Sequence, residues 1–532
     1  MKNRFILLLL ILICAGGCNK FLDTKPVDTL TPDQYYTTED QLNTALIGVY
    51  DIIGQETVYG SYIFSVFDAC NDEGWYARSS MTAGMQVYNL DYSDASVRSF
   101  WRSLYQGIER ANLVIANINK PVMDSVKRQV ILGQALFLRG YYHFLLVSNF
   151  GDVPLRTAPT SSVNNTSIPR TSAKDVYAQI IKDMTDAEGK VQTITAIGNS
   201  SSRVSKTTVE GILARVCLYM AGYPLHDQSK YADALGWASK VVASGEHTLR
   251  TTYDATLTNS AYSQIFINEA RNVYDVKECM WEADFFGNFT DAYREDGRVG
   301  NANGIAFSAS NAADTGYSYG FINITGKLYN RYEATDTRRD WAIAPYYYSG
   351  SSRVNWPPPA QKSVYNRNSG KWRRSYELPA SGGKNQNYTP ENFPLLRYAD
   401  VLLMLAEAEN EVNGPTDVAH NALNLVRARA GASQFTGATA IADQATFRQT
   451  IQDERSRELC FEGMRRPDLI RWGIFIPTMK AMAAQFAIDV PYPAGISYGV
   501  LGYNNVADRN LLFPIPASEI SVNHAMTQNP GW

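Results

Sequence analysis

Histidine and cysteine are scarce in this chain: five of the first and six of the second serve 532 residues. His143, His226, His247, His420 and His524 stand isolated, with no HExxH or comparable pair, so a zinc-hydrolase motif is missing. Walker loops and dinucleotide fingerprints are missing too, which removes the motif basis for nucleotide chemistry. Cys70, Cys217, Cys279 and Cys460 have no CxxC spacing, so neither a disulfide framework nor a metal site is expected, and no cofactor. Cys217 and Cys460 fall in helical patterns and read as small core residues. Charge of either sign is in short supply: a net −3 with 19% charged residues points to neither nucleic acid nor an anionic membrane surface as a partner. The apolar run from Phe5 to Ile13 is too short to span a bilayer.

Aromatic residues, by contrast, make up 12% of the chain, with 33 tyrosines and 9 tryptophans. Some fill helix–helix contacts. Others suit a sugar-facing surface, because rings stack on the C–H faces of pyranoses while a phenol tip hydrogen-bonds. The length suffices for a large core and two to four domain-sized units. At the start, Lys2 and Arg4 precede the apolar run, and Ala15–Gly16–Gly17 supplies small residues before Cys18. Residues 1–17 therefore read as a lipoprotein signal cleaved before Cys18, and 18–40 as a tether whose acylated Cys18 anchors the chain in a membrane.

Helical periodicity dominates residues 41–250. Gln41–Ile53 reads as a first helix, with Leu42, Ala45, Leu46 and Val49 on one side. Arg98–Ile118 and Val126–Val147 follow; Gly133, Ala135 and Gly140 allow close helix approach in the second, which stops at the breaker run Asn149–Pro154. A third pattern starts at Thr207, where Glu210 completes a capping box. Later, Tyr398–Glu409 and the stretch from Thr416 to Gly431 repeat the pattern. Ala135–Tyr142 and Ala214–Tyr219 carry fragments that resemble tetratricopeptide repeats. The expected fold is mainly α: helix pairs in a right-handed superhelical scaffold over 41–250 and 393–532. Between 251 and 392 Gly, Asn, Ser, Tyr and Trp prevail, so that segment reads as loops and short strands laid over the scaffold.

The helical pattern that runs into Asp453–Gly473 places Phe447, Ile451, Glu454, Glu458 and Phe461 on one stripe, apolar at its ends and acidic in its middle. Arginines 455, 457, 465, 466 and 471 lie within a few turns. Glu454, Arg455, Glu458, Arg465, Arg466 and Arg471 therefore read as an internal ionic clamp, structural rather than catalytic. This stretch, with Phe461–Gly463, Pro467–Leu469 and Trp472–Gly473, resembles the C-terminal signature of the SusD/RagB family. The chain end, Phe513–Ile520 through Asn529–Trp532, resembles that family's terminus.

The resemblance implies a non-enzymatic lipoprotein on the outer face of an outer membrane. Such a protein captures an oligosaccharide and acts as the lid of a TonB-dependent, SusC-type transporter. It also implies a ligand surface built from the loop after the first helices and from the segment between helix pairs. On that basis the loop Asp68–Arg78 is the first candidate site, with Asp72, Glu73, Trp75, Tyr76 and Arg78 supplying carboxylate, ring and guanidinium contacts. Trp341, Tyr346, Trp356 and Trp372 are the candidates in the second segment. Three alternatives stand beside this reading. A surface glycoside hydrolase would need two carboxylates such as Asp72 and Glu73. A peptide-binding member of the same fold would need a different ligand, and a pure protein scaffold would need no glycan site. The two G-x-S-x-G matches, Gly316–Gly320 and Gly495–Gly499, lack the strand-before, helix-after context of a nucleophile elbow.

Overall fold

The computed structural model describes residues 35–162, 167–286, 297–309, 315–357, 364–378, 383–491 and 496–532. The signal, Cys18 and the tether up to residue 34 lie outside the described residues. The protein is mainly helical, and small polar side chains set the helix starts. Helix α1, Glu39–Gly54, opens on a capping box between Thr38 and Gln41. A short α2, Tyr62–Phe67, and strand β1, Gly74–Tyr76, follow. Helix α3, Ala95–Asn117, is capped by Asp94, and α4, Ser125–Phe150, by Asp124. Ser172 caps α5, Ala173–Glu188. Helix α6, Lys206–Ala221, is capped by Ser205 rather than by Thr207, whose hydroxyl instead bonds His247 Nε2 at 2.8 Å. Helix α7, Lys230–Ser244, completes this run.

The chain then makes α8, Ala261–Ala270, β2, Cys279–Ala283, β3, Ile322–Ile324, α9, Gly326–Arg331, and α10, Arg339–Ala342. The hairpin of β4, Tyr346–Ser349, and β5, Ser352–Asn355, follows. The segment read as loops and short strands thus also holds a fully buried helix, α8. Because α8 is buried all round, it lacks the amphipathic stripe that periodicity detects.

Strand β6, Phe393–Arg397, pairs with β2 and leads into α11, Tyr398–Asn413. Helix α12, Asp417–Arg429, is capped by Thr416 as its sequence predicts. Then come α13, Gln444–Leu459, α14, Arg465–Arg471, α15, Phe475–Asp489, α16, Leu501–Asn505, and α17, Ala517–Val522.

Helix α3 packs on α1, each of α4 to α7 packs on its predecessor, and α11 packs on both α7 and α12. The helical body is therefore continuous across the excursion between α7 and β6. Its main apolar core runs from α1 through α13. A second core lies under α14–α16 and includes Cys70, Trp75, Tyr365, Phe475, Phe486 and Tyr503. The loop after α2 is thereby gripped by the C-terminal helices.

Candidate glycan-binding site

Buried carboxylates fix the frame on which the site is hung. Glu454 pairs with Arg338 (2.7 Å), Arg427 (2.7 Å) and Arg457 (2.9 Å). Glu458 pairs with Arg338 (3.0 Å), Arg397 (2.8 Å) and Arg429 (2.5 Å). Burial opposes the charge on Glu458, but Arg429, Arg397 and Arg338 outweigh it and hold the carboxyl below the usual range. Of the arginines nominated in sequence, Arg455 bridges Asp400 and Asp468, Arg471 bridges Asp468 and Glu407, and Arg465 reaches Asp72. Arg466 departs from the clamp. It donates to the Asn510 carbonyl and lies over Phe67, Phe475 and Phe513. The partners of the two glutamates come mainly from distant segments, not from the neighbouring arginines.

The loop after α2 is built inward. Asp72 is wholly buried and ion-paired to Arg465 (2.7 Å), Arg331 (2.6 Å) and Lys327 (3.0 Å). Burial raises its pKa, but Arg331, Arg465 and Lys327 pull it well below the carboxylate range, which removes it as a general acid. Glu73 is buried as well, and neither oxygen has a hydrogen-bond partner. Strand β1 pairs antiparallel with β3, Trp75 opposite Asn323 and Tyr76 opposite Ile322. Successive strand residues point to opposite faces, so the two neighbouring rings part company. Trp75 enters the second core, edge-on to Phe486 at 5.5 Å and Tyr498 at 5.7 Å, and packs against Gly499. Tyr76 goes the other way and stacks on Phe321 at 5.3 Å. Asp72, Glu73 and Trp75 are thus structural residues and not sugar contacts, because none reaches the surface.

Tyr76 begins a ladder of rings. Phe321 stacks on Tyr319 at 4.9 Å with planes 6° apart, and Tyr317 meets Tyr319 edge-on at 4.9 Å. Arg78 lies over Phe321 at 4.8 Å and donates to the Tyr319 and Ala77 carbonyls. Its guanidinium is therefore fixed with one edge toward solvent. Across from it, Phe307 meets Tyr348 edge-on at 4.5 Å, and an isolated bridge joins Phe307 to Ser318. Together Arg78, Phe307, Ser308, Tyr317, Tyr319 and Tyr348 line an open pocket of about 350 Å³. Half-exposed rings beside fixed polar groups match what a pyranose needs: faces to stack on and donors at the rim.

In the second segment most of the nominated rings are interior. Trp372 donates to the Phe461 carbonyl, and Trp341 donates to the Lys371 carbonyl under the Arg373 guanidinium. Tyr346 is buried beneath Arg353. These three correct the sequence expectation, since each ring is packed against the body. Trp356 alone of that set keeps an open face, beside Tyr347 at 4.6 Å, on the side of the β4–β5 hairpin away from Tyr348.

Tyr317, Tyr319, Phe307 and Tyr348 escaped sequence reasoning. A signal was present, since Tyr317, Tyr319 and Phe321 alternate with small residues at strand spacing. The same run contains the first G-x-S-x-G match, and there Ser318 is buried and donates to the Gly300 and Asn301 carbonyls. His143 is a satisfied core residue: Nδ1 meets the Arg139 carbonyl, Nε2 faces the Arg156 N–H, and burial pushes its pKa down to about 3.

Comparison with known proteins places these features in company. Residues 252–532 match the SusD family, and residues 20–218 match a family described as starch-binding, associating with the outer membrane. SusD-like protein P25 of Formosa agariphila is 23% identical, with 99% of this chain and 98% of that protein aligned. A SusD homolog from Bacteroides thetaiotaomicron superposes with a TM-score of 0.85 at 29% identity, covering 94% of this chain and 98% of its own. A laminarin-binding SusD-like protein shares the fold at a TM-score of 0.71 and 24% identity, covering 93% of this chain and 100% of its own.

Proposed function

The chain belongs to the SusD family, and from that premise we propose that it is a non-catalytic, lipid-anchored protein of the outer cell surface. It captures an oligosaccharide and passes it to a SusC-type, TonB-dependent transporter, over which it sits as a lid. The observation that carries the glycan reading is the Tyr76–Phe321–Tyr319–Tyr317 ladder with Arg78 clamped across it, opening on a pocket of about 350 Å³. Starch and laminarin figure in the descriptions of the matched family and of a fold relative, which supports a neutral glucan as the first ligand to try. Trp356, on the far side of the hairpin, extends the surface for longer chains.

Calorimetry of the mature chain in detergent against a panel of gluco-oligosaccharides tests this reading. Tyr319→Ala should weaken binding about fivefold or more, since ring stacking of this kind is worth on the order of 1 kcal/mol per ring. Arg78→Ala should do likewise. Unchanged affinity in both variants, or no binding across the panel, would overturn it. Product formation from labelled oligosaccharides would favour the hydrolase alternative instead, and co-purification of a large barrel protein checks the transporter.

A further inference from the structure

Most buried carboxylates in this protein sit against arginine or lysine, as Glu454, Glu458, Glu462, Asp72 and Asp468 do. Glu269 and Glu282 do not: among the described residues neither has an ion-pair partner, although both are about 97% buried, at 3% exposure. Arg397, the guanidinium whose field reaches Glu269, is already engaged by Glu278, Glu458 and Glu462. Burial of unpaired carboxylates is costly, so this pair calls for an explanation.

A third acid joins them. Cys279 and Glu282 are three apart on β2, and a regular strand would send them to opposite faces. The β2–β6 ladder is irregular on both sides of Trp281, between Cys279 and Trp281 and between Trp281 and Glu282. Bulges of this kind re-aim side chains, and here both turn toward Glu269 at the end of α8. One donor atom from each of Glu269, Cys279 and Glu282 then lies within 4.8 Å of the others. The Cys279 thiol donates to Glu269 Oε1 at 2.8 Å, while Glu269 Oε2 is buried with no hydrogen-bond partner. Glu282 Oε1 accepts from Asn392 Nδ2 at 2.8 Å, a contact that orients the carboxylate from behind as outer groups do for metal ligands. Glu282 also lines an open pocket of about 350 Å³ together with Tyr50, Asp51, Ser202, Arg203 and Asp284, so a route from solvent exists.

We propose that Glu269, Cys279 and Glu282 bind one borderline-soft divalent cation, zinc being the best match to two carboxylates and a thiolate, with a fourth position open toward the pocket. Binding forms Cys279 Sγ–metal and carboxylate–metal bonds and releases to solvent the thiol proton and whatever proton the two buried carboxyls hold, so affinity falls as pH falls. The site ties α8 to the β2–β6 pair, and its role is to fix that junction. It takes no part in holding glycan and stands apart from that reading.

The mature chain, stripped with chelator and dialysed against zinc chloride, should retain about one zinc per chain by elemental analysis, and its thermal midpoint should rise. Cobalt(II) in place of zinc should give a sulfur-to-cobalt charge-transfer band in the near ultraviolet, a readout that needs no variant. Glu282→Gln should weaken zinc binding at least tenfold, and Cys279→Ser should abolish the cobalt band. No retained metal, a cobalt spectrum without the thiolate band, or zinc uptake by both variants equal to the parent's would each overturn the assignment.

Discussion

Glu73 is a buried carboxyl with one loose ion-pair partner, Arg465 at 3.5 Å. Burial raises it, the Asp72 charge raises it further, Arg465 only partly offsets both, and it titrates at about 7 against an ordinary 4.5. With the folded value above the unfolded one, the folded state keeps a proton that the unfolded chain loses. Stability is therefore fully present below about 4.5 and lost as pH rises through about 7. Glu73→Gln should relieve this cost, by up to on the order of 3 kcal/mol at pH 8 and by little near pH 4. Thermal midpoints of variant and parent at the two pH values check it; a variant-minus-parent gap that does not widen with pH would refute the argument. Trp75 carries the companion lesson. Sequence composition made Asp68–Arg78 a binding loop, yet of its residues only Arg78 lines the pocket, and Tyr76 reaches it through the ring of Phe321. Residue types are legible in sequence. Which face of a three-residue strand meets water depends on its partner β3, some 250 positions away, and composition holds no trace of that.

At the scale of elements, the helices were the legible part, because their burial follows a local period and their starts follow local caps. The close approaches were partly legible too. Gly133, singled out as a crossing point, would drive a Cβ to 2.8 Å from Lys190 Cβ. Gly107 on α3 is tighter still: an added Cβ would lie 2.5 Å from the Tyr142 ring on α4. That ring cannot easily withdraw, since its hydroxyl donates to the Val49 carbonyl on α1. Gly107→Ala thus sets a helix-propensity gain of about 1 kcal/mol against overpacking of about 1–3 kcal/mol plus a strained hydrogen bond. Overpacking should win, with a net loss of about 1–2 kcal/mol read as a lower thermal midpoint. An unchanged or raised midpoint would mean that α3 and α4 slide apart freely. Helix α8 and the bulged β2 were illegible for the converse reason, being buried on every side and bent by pairing with β6.

For the whole molecule, the question is what couples the excursion that walls the glycan pocket to the helical body. The answer lies around Glu458. Arg338 comes from the excursion, Arg397 from β6, Arg429 from α12, and Lys371, also in the excursion, reaches the Glu458 carbonyl and Glu462. The acidic stripe in Asp453–Gly473 announced a clamp, but its partners are dispersed from Arg338 to Arg429, so the sequence displayed the carboxylates without their mates. Charge burial of this kind contributes specificity of docking more than net stability, and breaking it from one side is what costs. Glu458→Gln leaves three buried guanidiniums short of one charge, at a cost of about 3–5 kcal/mol. The carboxyl's depressed pKa means that the parent's share of this stability persists above about 4.5 and fades only as pH falls below it. The variant should therefore melt lower than the parent at pH 7, with the gap narrowing in strong acid. Limited proteolysis should then cut between residues 251 and 392 before it touches α3–α7, and glycan affinity should fall with it, because Phe307, Tyr319 and Tyr348 ride on that excursion. Cleavage that begins in the helices instead, with the excursion as resistant as in the parent, would place the coupling somewhere other than this carboxylate.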